Sequence, residues 1–156
     1  MNHSAPGNAD KIGEKLAARF AESPHIAAST PNDRLDVWLA ELEPAHAARF
    51  EPLLAYPLAR NILAGIAEFS PYLFDLVRAD PQRLIRLLEC DPDAHLAALI
   101  DAAATGVLAA QDEAEVMRLL RRMKAEAALL IALCDIGGVW PVMRVTAALT
   151  DIAVSS

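Results

Sequence analysis

Apolar residues recur along most of the chain at intervals of three and four, the spacing that places them on one face of a helix. Ile12, Leu16 and Phe20 predict a first helix that stops near Ser23-Pro24. Leu35, Trp38, Leu39 and Leu42 predict a second, opened by Thr30-Pro31, with Pro44 closing it or starting the next. Pro52 and Pro57 break the following stretch, after which Leu58, Ile62, Ile66 and Phe69 mark a helix of about three turns. Leu96, Leu99, Ile100 and Val107 mark another. The longest stripe runs through Val116, Leu119, Leu120, Met123, Ala127, Leu130, Ile131 and Cys134, and a last one through Val145, Leu149 and Ile152. Strand-like alternation between turn signals does not occur. The expected fold is all-α, an irregular bundle of about seven to nine helices whose last helix is cut off in mid-stripe.

The polar punctuation agrees with the apolar stripes. Ser70-Pro71, Asp80-Pro81 and Asp91-Pro92 each pair a short acceptor with a Pro. The acceptor takes a free N–H of the first turn, and Pro fits the first helical position because it has no N–H to leave unpaired. Three starts at such close spacing could suggest an array. Helical-pair repeats are much longer, however, and "PYLFDLVRAD" and "PQRLIRLLEC" share nothing beyond their caps, so two short helices around a longer one is the better reading. Asp112 is placed to cap the longest helix, and Gly137-Gly138 to end it with a left-handed residue.

Composition narrows the setting. Apolar residues make up 54% of the 156 and aromatic ones only 5%, which favours helices built on Ala, Leu, Ile and Val. Fourteen basic against twenty-one acidic residues give a net charge of −7, which argues against nucleic acid or an anionic membrane as partner. "MNHSAPGNAD" has neither the basic start nor the apolar run of a signal peptide, and the longest apolar run, "AALLIALC", is far too short to span a bilayer. Cys90 and Cys134 read as reduced thiols, and a cytoplasmic location is expected. Residues 1–8 are expected to be disordered and 9–156 to form one helical domain.

Candidate chemistry is sparse. "CDPDAH" gathers Cys90, Asp91, Asp93 and His95, all capable of ligating metal, but their spacing matches no zinc or calcium motif, and Asp91 already serves as a cap. His3, His25 and His46 are isolated. "RLLRRMK" puts Arg118, Arg121, Arg122 and Lys124 on the longest helix, either as a contact for phosphate or an acidic partner or as a solvated flank partly neutralised by Glu113, Glu115 and Glu126. Neither a phosphate-binding loop nor a nucleophile elbow is found, so no catalytic, cofactor-binding or metal residue is assigned.

The segment "EVMRLLRRMKAEAALLIALCDIGGVWPVMRVTAALTDIA", residues 115–153, resembles a helical segment of the glutamine synthetase adenylyltransferase/adenylyl-removing enzymes. The likeness rests on Leu120-Arg121-Arg122, Ile131-Ala132, Asp135-Ile136 and the run from Val145 to Ala153. "SPYLFDLVRADPQRL" is similar to the segment that precedes these in the family, so residues 56–156 are covered. The run Ala125-Glu126-Ala127-Ala128 departs from the family, whose members often continue the Leu-Arg-Arg helix with basic residues.

The resemblance implies a longer parent with two nucleotidyltransferase domains, one attaching AMP to glutamine synthetase and one removing it by phosphorolysis under the control of the PII signalling protein. Magnesium and ATP or ADP are the cofactors it implies, held by a Gly-rich turn and an Asp-x-Asp pair. Here Asp91-Pro92-Asp93 follows a leucine-rich helix, and no Asp-x-Asp follows Gly137-Gly138. The expectation is an N-terminal helical fragment that supports the adenylyl-removing domain, itself absent from the chain, with no catalysis and no cofactor of its own and weak homodimerisation through its cut last helix. An autonomous helical interaction module without an enzymatic parent is the alternative.

Overall fold

The computed structural model describes residues 14–22 and 33–155, with the backbone alone for Asp33, Val142 and residues 151–155. Among these residues the chain is all-α, with nine helices and no strand. They are α1 (Leu16–Arg19), α2 (Asp33–Glu41), α3 (Pro44–Leu54), α4 (Pro57–Phe69), α5 (Pro71–Ala79), α6 (Pro81–Glu89), α7 (Pro92–Ala109), α8 (Glu113–Ile136) and α9 (Val142–Ser155). Ile12, Ser23-Pro24 and Thr30-Pro31 lie outside the described residues, as does the side chain of Ile152.

Every cap in the described region that the sequence predicts is made. The side chains of Ser70, Asp80 and Asp91 accept from the backbone N–H of Leu73, Arg83 and Asp93 at 3.4, 3.3 and 3.3 Å, and Asp112 accepts from Glu115 at 2.8 Å. Pro44, Pro57, Pro71, Pro81 and Pro92 each take a first-turn position. Pro52 does not break α3 but lies near its C-terminal end, three residues from Ala55. Gly138, at φ +64°, supplies the left-handed residue that turns the chain out of α8.

The centre of the bundle is α4, whose side chains from Ile62 through Ala67 are all buried, because α1, α2, α3 and α5 surround it. Along Ile62–Ala67 the enclosed helix has no solvent face, so its apolar positions there exceed one stripe. Phe69, at its C-terminal end, is 67% exposed, outside the stripe predicted for it. Trp38 joins α2 to its neighbours edge-on, 5.5 Å from the Phe50 ring and 6.2 Å from the Phe74 ring. The amphipathic α6 buries Leu84, Ile85, Leu87 and Leu88, and α8 enters the same core through Leu129, Leu130, Ile131, Leu133 and Cys134.

The first helix is shorter than the apolar spacing predicts. It ends at Arg19 because the backbone that follows is bound elsewhere: the N–H groups of Ala21 and Glu22 both donate to the Gly137 carbonyl, at 2.8 and 3.0 Å. The N–H of Leu16 donates to the Cys90 carbonyl at 2.7 Å. Residues 14–22 are thus strapped across the bundle from the end of α6 to the end of α8.

Candidate functional site

The polar centre of the molecule grows from that strap. Arg19 is 3% exposed and lies beside Leu16 and Phe20, both buried, so its guanidinium needs partners inside the protein. The α6–α7 junction supplies them. Nη1 of Arg19 donates to Oδ1 of Asp91 at 3.3 Å and to Oδ2 of Asp93 at 3.2 Å. The other oxygen of Asp93 faces Nε of Arg144 on α9 at 3.6 Å, and the Arg144 guanidinium lies 4.5 Å from the centre of the buried Trp140 ring. Three separated parts of the chain are joined through two carboxylates.

Of the "CDPDAH" cluster, Asp91 and Asp93 face Arg19, and the other two residues go elsewhere. The Cys90 thiol donates to the Leu87 carbonyl at 3.1 Å, and burial, reinforced by the Asp91 charge, pushes its pKa up to about 12. Burial also pushes Cys134 upward. Both are free thiols. A thiol so far from ionising is a poor nucleophile and a poor metal ligand at neutral pH. His95 turns to α8, where its Nε2 is 3.5 Å from Oε1 of Glu126. The same oxygen accepts from Nε and Nη2 of Arg86 at 3.2 and 3.1 Å. Burial raises the Glu126 pKa, but His95 and Arg86 together outweigh it and hold the carboxyl below its ordinary value.

Among the described residues no group of three carboxylate, histidine or cysteine side chains could hold a metal ion. With both carboxylates of the Asp91–Asp93 pair turned onto Arg19, the pair does not fit a magnesium–phosphate site. Gly137-Gly138 does not fit a phosphate loop either, because a Cβ at Gly137 would stand 2.3 Å from the Phe20 ring: the strap already occupies that space. Sequence reasoning missed Arg19 and Arg144. Only the position of Arg19 inside an apolar stripe could have signalled a buried cation there.

The basic run lies apart from this centre. Arg118, Arg121, Arg122 and Lys124 are all exposed, on the half of α8 that has not yet reached the core. Two of the three glutamates expected to neutralise them make other contacts: Glu126 with Arg86 and His95, and Glu115 with the backbone N–H of Gln111 at 3.1 Å. His46 is half-buried on α3, and His3 and His25 lie outside the described residues.

Comparison with known proteins places the whole arrangement. The family model for glutamate-ammonia ligase adenylyltransferase matches residues 60–156. The chain belongs to this family. Over its whole length it is 81% identical to a protein of Bradyrhizobium diazoefficiens, 64% identical to one of Bradyrhizobium sp. strain BTAi1 and 55% identical to one of Rhodopseudomonas palustris strain BisB5. Each of these is named a bifunctional glutamine synthetase adenylyltransferase/adenylyl-removing enzyme, and the chain spans 16% of the length of each. No solved structure matches it. Among the described residues no helix is long and apolar enough to cross a membrane.

Proposed function

We propose that this chain is the N-terminal helical region of an enzyme that adenylylates and deadenylylates glutamine synthetase, and that it serves as a scaffold for the adenylyl-removing nucleotidyltransferase domain. The observation that carries this reading is the 81% identity along the whole chain to one sixth of a bifunctional relative. The internal arrangement supports a structural part: the carboxylates that might have held metal brace Arg19, and the Gly-Gly pair ends a helix. ATP, ADP and magnesium then belong to the rest of a cytoplasmic parent, as does control by the PII protein. The exposed Met143 and Leu149 of α9 favour weak self-association of the chain on its own.

The test is twofold. Incubated with adenylylated glutamine synthetase, phosphate and magnesium, the chain should release no ADP above a no-protein control; release would overturn the scaffold reading. In the source genome, the reading frame should continue past Ser156 into a Gly-rich turn with an Asp-x-Asp pair. An in-frame stop with no such segment would instead leave an autonomous helical module.

A further inference from the structure

We propose that the outward face of α9 is the surface on which the rest of the parent polypeptide packs, through an apolar and uncharged patch of its own. This rests on the reading of the chain as one region of a longer enzyme, and deepens it by naming where the two parts meet. The first observation is how α9 is held. Ala148 is buried, Val145 is half-buried against the core, and Arg144 turns inward to Asp93 and to the Trp140 ring. The helix is fixed from one side, chiefly against α7 and α8, so its other side is presented outward in a set orientation.

The second observation is what that side carries. Met143 is 83% exposed and Leu149 55%, and Thr146, Ala147 and Thr150 are exposed with them. At the spacing of an α-helix these five positions fall within one arc of about 160°. Each helix from α2 to α8 exposes at least one charged side chain, whereas none of the described side chains exposed on α9 is charged. The hydroxyl of Thr150 donates to the Thr146 carbonyl at 3.0 Å, so this polar group needs no water. An exposed face without charge, on a chain of which 22% is charged, has the composition of the centre of a protein interface.

The size of the face selects the occupant. The fourteen residues of α9 make a strip about 21 Å long and about 10 Å across. That is several-fold less than the about 800 Å² that each side of a stable complex between separate proteins buries. A free partner or a second copy would be held only weakly. A segment of the same polypeptide needs far less area, because its tether keeps it near the face at an effective concentration of about millimolar. The family match runs through α9 to residue 156, and the Bradyrhizobium diazoefficiens relative, of which the chain spans 16%, has the length to supply such a segment.

The experiment is oxidative footprinting of the intact parent enzyme, with hydrogen peroxide as the probe and mass spectrometry of tryptic peptides as the readout. Cleavage at Lys124 and Arg144 leaves Met143 as the one methionine of its peptide. A bare α9 would let Met143 oxidise nearly as fast in the folded enzyme as in urea, whereas packing should slow it about tenfold. The protection should be the same at every protein concentration. It should be lost in Ala147→Asp, which sets a charge at an exposed position one turn from Met143, with folding checked by circular dichroism. Should that variant not fold, the concentration series on the unaltered enzyme decides. Oxidation of Met143 at its unfolded rate, protection that appears only as the enzyme is concentrated, or protection unchanged in folded Ala147→Asp would each overturn the proposal. Phosphorolytic removal of AMP from glutamine synthetase, assayed on the same preparation, separates this from the reading it rests on. Removal with Met143 unprotected overturns the docking face alone, protection without removal overturns the function alone, and a reading frame that stops after Ser156 overturns both.

Discussion

Arg19 is the residue on which the polar interior turns, and its substitution separates a buried cation's own cost from the cost of the carboxylates it leaves behind. Arg19→Met keeps an unbranched side chain in the site but strands Asp91 and leaves Asp93 to Arg144 alone. Breaking a buried pair from one side costs about 3–5 kcal/mol, and the 45% exposure of the Asp93 side chain argues for the lower end. Urea unfolding should therefore show a loss of about 3 kcal/mol. Adding Asp91→Asn should recover part of it, since Asn caps a helix about as well as Asp and Asp93 keeps its pairing with Arg144. A double variant no more stable than Arg19→Met would show that the loss comes from packing alone. Glu126 gives a pH test of different sign. Its folded pKa lies below the ordinary value of 4.5, so its contribution is fully present above that value and is lost as pH falls through the folded pKa. Glu126→Gln should be less stable by about 1 kcal/mol at neutral pH. That gap should close as pH falls below 4.5 and through the folded pKa, and a gap that persists once Glu126 is protonated would mean the amide itself disturbs the site.

At the scale of the element, the two glycines that end α8 do different work. Gly138 holds φ +64°, and the nearest atoms to an added Cβ belong to the flexible Glu22 side chain at 2.9 Å, so Gly138→Ala should cost about 1 kcal/mol for the backbone conformation. At Gly137 the backbone is ordinary, but an added Cβ would meet the Phe20 ring at 2.3 Å and the Leu133 carbonyl at 2.9 Å. Since a buried ring and a helix backbone cannot both withdraw, Gly137→Ala should cost more than Gly138→Ala in thermal melts and should loosen the strap; equal losses would mean the strap simply lifts away. The helix starts at Ser70, Asp80, Asp91 and Asp112 and the stop at Gly137-Gly138 were legible in the sequence because caps are local: donor and acceptor lie within four residues of each other. The early end of α1 was not, because its cause is the Gly137 carbonyl, far away in the chain. For the same reason the partner of the two carboxylates in "CDPDAH" could not be read from the sequence.

For the whole molecule, the stripe through Val116, Leu119 and Leu120 was indistinguishable from the one through Leu130, Ile131 and Cys134, yet the first is only half-buried and the second is fixed in the core. Periodicity reports which face of a helix is apolar and says nothing about how many neighbours cover it. The difference has a dynamic consequence. A segment with few buried contacts opens locally at a free energy below that of global unfolding, whereas the core half of α8 can open only when the bundle does. Hydrogen exchange followed by mass spectrometry should therefore divide one continuous helix. Amides from Val116 to Leu120 should exchange about a hundredfold faster or more than those from Leu129 to Leu133, even though both stretches make the same internal helical bonds. Raising denaturant should bring the two rates together, as global unfolding overtakes local opening. Uniform protection along α8 at low denaturant would mean that its first half is locked to the core by contacts stronger than its exposed and half-buried side chains provide.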